Sequence, residues 1–115
     1  MSAATGGPGH DRSPARHEIP AIDEAALIAA RHADRLLDAA RALGHARWAA
    51  FLAPFPERLR DEEPVLLRKT AQVARAAYGP RDSIRDALPD ELTLPFQAAL
   101  DRLLKVLARH RERAD

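Results

Sequence analysis

The sequence predicts an all-α fold: a small multi-helical bundle of about five helices, two or three of them long, behind a disordered N-terminal tail. Two observations carry this. From residue 20 onward, proline and glycine cut the chain into helix-length pieces, at Pro20, Gly44, Pro54, Pro64, Gly79-Pro80, Pro89 and Pro95. Proline lacks a backbone donor and clashes with the preceding turn, and glycine readily takes the left-handed conformation that ends helices. Between the cuts, the longer pieces repeat their apolar residues with the period of a helix.

Residues 1–20 are small, polar and rich in Gly and Pro, too poor in apolar surface to fix a structure, and are read as the tail. Residues 21–115 form one helical domain. Asp23 is the expected cap of the first helix. Ile22, Ala26, Ala29, Ala33, Leu36, Ala40 and Leu43 then follow a 4-3-4-3-4-3 spacing, one continuous apolar stripe. Arg31, Asp34, Arg35, Asp38 and Arg41 lie opposite, with Arg31–Asp34 spaced to pair. Gly44 ends the helix. A short helix from His45 to Ala53 puts Trp48, Phe51 and Leu52 on one face. Pro54-Phe55-Pro56 makes a corner into a brief helix over Glu57–Arg60.

Asp61-Glu62-Glu63-Pro64 reads as an acidic helix start, because negative charge is favourable at a helix N-terminus. The helix is expected to run to Tyr78, with Leu66, Thr70, Val73 and Ala77 on one face. Asp82-Ser83 caps a short helix from Ile84 to Leu88. Residues 90–94 are expected to be a connector, with Thr93 capping a last helix that begins near Pro95. That helix presents Phe96, Ala99, Leu100, Leu103, Val106 and Leu107 to the core, and Asp101–Lys105 is spaced as a favourable pair. Its basic end suits the negative pole of the helix dipole.

Composition narrows the function classes. The net charge is +1, so no global field draws the chain to nucleic acid or to an anionic membrane. Arginine outnumbers lysine 16 to 2, which suits recognition of phosphate or carboxylate and equally follows from GC-rich coding. Cysteine is absent, which excludes disulfides, thiolate chemistry and zinc–thiolate sites. No apolar run approaches 18 residues, and no charged-then-apolar leader opens the chain, so a cytoplasmic location is expected.

No constellation of residues carries chemistry. The histidines at positions 10, 17, 32, 45 and 110 lack the Glu-x-x-His or His-x-x-x-His spacing of a helical metal site in the folded part. Hydroxyls there are Thr70, Tyr78, Ser83 and Thr93, two of them explained as caps, and Gly44 and Gly79 are isolated rather than part of a phosphate cradle. No catalytic residue, metal ligand or cofactor is expected. The stretch Gln72–Leu88 (QVARAAYGPRDSIRDAL) resembles the helix-turn-helix of bacterial DNA-binding regulators. Ala74, Gly79, Ile84 and Leu88 can be laid on its packing roles. The resemblance implies Arg81, Asp82, Ser83 and Arg85 as the DNA-facing surface, with Arg81, Ser83 and Arg85 as the contacts. The turn glycine falls one place late, Pro89 shortens the second helix, and residues 57–88 carry seven basic and six acidic side chains.

The expected function is therefore a non-catalytic interaction or regulatory module, a small adaptor or subunit with a protein partner or a second copy of itself. Ala26, Ala29, Ala33, Leu36 and Ala40 are the expected interface, since an alanine stripe lets another helix approach closely. A DNA-binding regulator is the alternative.

Overall fold

Pro20 opens the first long helix instead of breaking the chain ahead of it. Its fixed φ suits the first helical position, and Ile19 takes the cap. The computed structural model describes residues 14–81 and 83–114. Its helices in order are α1 (Pro20–Ala42), α2 (Ala46–Leu52), α3 (Phe55–Asp61), α4 (Pro64–Arg75), α5 (Ile84–Ala87) and α6 (Asp90–Ala114). Single 3-10 turns, Arg16–Glu18 and Ala76–Tyr78, precede α1 and extend α4. No strand occurs among the described residues, and the fold is the all-α bundle expected from the sequence. No helix among these residues is long and apolar enough to cross a membrane.

The core is built on the pairing of α1 with α6, and α2, α3 and α4 close around it. Ala26, Ala29, Ala33, Leu36 and Ala40 have no exposed surface, and neither do Phe96, Leu100 and Leu103 of α6. Alanine on one side and large side chains on the other let the two backbones approach while the space between them fills. Trp48 and Phe51 meet edge-to-face at 5.5 Å, and Phe51 and Phe55 at 5.1 Å, so an aromatic chain ties α2 to α3. Gly44 ends α1 with φ of 73°, the one left-handed glycine among the described residues.

Several local expectations need correction. Asp23 is not a cap: it lies three residues inside α1, and its Oδ1 accepts from Arg16 Nε at 2.7 Å. Leu43, placed in the stripe, lies past the end of α1 and is exposed. Residues 90–94 are helix and not a connector. Pro89 supplies the carbonyl that Leu92 and Thr93 donate to, so α6 starts five residues before Pro95. Thr93 is a fully buried helical residue and caps nothing. Pro95 sits inside the helix, where its missing N–H leaves the Glu91 carbonyl without that partner. Of the expected pairs, Asp34 is taken by Arg60 at 2.6 Å and Asp101 by Arg75 at 2.7 Å.

The end of the expected tail is also structured. Arg16 and Ile19 are buried. The Arg16 backbone N–H donates to Glu63 Oε1 at 2.7 Å, and its guanidinium reaches Asp23 and the Glu62 carbonyl. Residues 1–13 of that tail lie outside the described residues.

Candidate functional site

The expected interface stripe on α1 is spent inside the protomer. Ala26, Ala29, Ala33, Leu36 and Ala40 are all fully buried, so no second chain reaches them without opening the fold. Surface for a partner has to come from elsewhere.

The helix-turn-helix region is only partly assembled. Ala74, Ile84 and Leu88 are each buried. The second helix, however, is the four-residue α5, a single turn about 6 Å long. Ser83 is buried and acts as its cap: its hydroxyl accepts from the Arg85 N–H at 3.2 Å, and its own N–H donates to Asp86 Oδ2 at 3.2 Å. Arg85 leans toward Asp90 at 3.4 Å, and Arg81 is exposed. Asp82 lies outside the described residues. Around this corner Tyr78, Gly79, Pro80, Ser83, Arg85, Asp86 and Asp90 line an open depression of about 510 Å³. Its charges are mixed, two carboxylates against one guanidinium, so it does not make the basic surface that a phosphate backbone needs.

Tyr78 fixes the roll of α4 against α6. Its hydroxyl donates to the Thr93 carbonyl at 2.5 Å, and the Arg75 guanidinium stacks 5.4 Å from its ring. Burial pushes the phenol pKa above its ordinary range, outweighing the lowering by Arg75 and Arg85. Arg75 also holds Asp101, and Arg68 Nη2 donates to the Leu107 carbonyl at 3.2 Å. These three contacts run backward along α6 as α4 advances, so the two helices are antiparallel.

This docking decides which face of α4 is covered. Leu67, Thr70, Ala71 and Ala74 are buried. The expected face, Leu66, Thr70, Val73 and Ala77, is centred about 80° away around the helix. Thr70 belongs to both sets. Leu66 and Val73 instead stand in solvent at 55% exposure each, and Val65 beside them at 63%. Lys69 lies exposed between Leu66 and Val73 and makes no ion pair with any described residue. α4 carries three cations and no carboxylate along its length.

The acidic run before α4 does not cap it through side chains. Glu63 accepts from the Arg16 N–H, and Glu62 Oε1 accepts from the Thr70 hydroxyl. These carboxylates hold the segment before α1 against the start of α4. No three His, Asp or Glu side chains among the described residues gather closely enough to hold a metal ion. Periodicity found Leu66 and Val73 but not their exposure, because it locates an apolar stripe without saying which neighbour covers it. Comparison with protein-family models, curated proteins and solved structures finds no match.

Proposed function

We propose that this chain is a non-catalytic interaction module, a small adaptor or subunit that binds a protein partner through the outer face of α4. One observation supports the reading above the others: three large aliphatic side chains, Val65, Leu66 and Val73, share one side of a well-anchored helix and are more than half exposed. Scattered surface leucines need no explanation, but neighbouring ones on a single face mark a contact surface. The helix beneath them is held by Arg68, Arg75 and Tyr78, so the face is presented rigidly.

Site-specific photo-crosslinking tests this. A crosslinking residue at position 66 or 73 should yield a discrete protein adduct in the cells that make the chain, and one at Arg31, on the exposed side of α1, should not. Equal labelling from both helices, or none from α4, would refute the proposal. Binding to random-sequence duplex that weakens steeply with salt, and is lost on replacing Arg81 and Arg85, would support the DNA reading instead.

A further inference from the structure

We infer that the partner of α4 is an amphipathic helix whose apolar stripe is flanked by acidic residues. This rests on the reading of α4 as the docking face and goes on to the chemistry of what docks there.

Shape gives the first constraint. Leu66 and Val73 are seven residues apart, two helical turns, with Val65 beside the first. That is the spacing at which one helix reads another through side chains at i, i+3 or i+4, and i+7. α4 has 12 residues, about 18 Å, long enough for such a contact.

Charge gives the second. Lys69 stands between the two anchors with no counter-ion among the described residues. The other two cations of α4 point to α6, where Arg68 donates to the Leu107 carbonyl and Arg75 is matched by Asp101, so Lys69 is the cation that this face presents. A partner carboxylate opposite Lys69 would complete the face. Charge matching of this kind selects partners and speeds their encounter.

The same charges argue against two other occupants. Lys69 lies at the middle of Pro64–Arg75, so a two-fold antiparallel pairing of α4 with its copy would set Lys69 against Lys69. An anionic bilayer would meet Glu63 at the N-cap of the same helix and Asp61 at the end of α3, both exposed, whereas a helical partner of finite length can end before them.

Two synthetic peptides of about five helical turns test the inference. They share one leucine stripe and differ only in flanking residues, Glu in one and Lys in the other. Fluorescence anisotropy with the full chain at near-physiological salt should show the Glu peptide binding at least about tenfold tighter. Lys69→Glu should reverse the order, and Leu66→Glu should remove binding of both, with unchanged circular dichroism and melting temperature in each variant. Equal binding of the two peptides would overturn the acidic assignment while leaving α4 as a docking face. Binding of neither would overturn it too, and crosslinking from position 66 would then judge the docking face separately. Tighter binding to phosphatidylglycerol vesicles than to the Glu peptide, or a homodimer dispersed by Leu66→Glu, would overturn it in favour of a membrane or a second copy.

Discussion

α1 and α4 both carry an apolar stripe written in the sequence with helical period, and the fold treats them differently. The α1 stripe from Ile22 to Ala40 coincides with its buried face. On α4 the stripe and the buried face are offset, sharing Thr70 but leaving Leu66 and Val73 outside. α1 lies among α2, α3 and α6 and has its whole stripe covered. α4 lies at the side of the bundle, where it buries Leu67, Ala71 and Ala74 and adds polar contacts with α6 through Arg68, Arg75 and Tyr78. A helix at the centre of a bundle takes its orientation from its apolar residues. A helix at the edge buries only as much of its apolar surface as its fewer neighbours cover, and the remainder stays exposed.

The largest expected effect lies on the α1–α6 side. Leu103 is fully buried in that interface. Leu103→Asp puts an unpaired charge there and should cost more than about 4 kcal/mol, enough to unfold a domain of this size. Circular dichroism at room temperature should show loss of helix. Native helicity with an unchanged melting temperature would mean that the centre of the bundle is not where this comparison puts it.

Ala33→Leu probes the same interface more gently. Ala33 has no exposed surface, so the added carbons have nowhere to go unless the helices part. Overpacking of this kind should cost about 1–3 kcal/mol, read as a lower urea midpoint. A neutral result would show slack between α1 and its neighbours and weaken the contrast with α4.

How much of this was legible in advance follows the same division. Ile22, Ala26, Leu36, Phe96, Leu100 and Leu103 were readable as core because long amphipathic helices must bury a continuous stripe. Sequence alone misplaces the start of α1 because Asp23 looks like a cap, although Pro20 marks a start three residues earlier. It misplaces the start of α6 because Pro95 looks like a first position, although Asp90 and Glu91 supply the acids a helix start favours. Asp23's pairing with Arg16, and the roll of α4, were not readable at all. Both depend on which elements meet in space, and spacing along one helix does not contain that. The candidate face on α4 was therefore half visible: its residues could be named, but their exposure could not.

Tyr78 joins the end of α4 to α6. Replacing it with Phe removes the hydrogen bond to the Thr93 carbonyl and should cost about 1 kcal/mol near neutral pH. The pH dependence is more specific. Burial raises the phenol pKa in the folded chain, so the fold favours the neutral form. Its contribution is complete below the unfolded value of about 10 and is lost as pH rises through the higher folded value. Urea midpoints of the native chain should therefore fall between neutral pH and about pH 11, and those of Tyr78→Phe should fall less. Identical alkaline slopes would mean that Tyr78 is not buried against α6.

The smallest effect separates the two faces of α4 directly. Leu66 and Leu67 are adjacent, chemically identical and both inside the helix, and they differ only in which way they point. Leu67 has no exposed surface, so Leu67→Glu buries a charge beside Ala71 and Ala74 and should unfold the domain. Leu66→Glu changes a side chain already in water and should move stability by no more than about 0.5 kcal/mol in either direction. Val73→Glu should behave like Leu66→Glu, because it lies two turns along the same side. If Leu66→Glu were as damaging as Leu67→Glu, the apolar stripe of α4 would be buried after all. The helix would then follow the rule of α1, and the chain would lose the surface on which its proposed role depends.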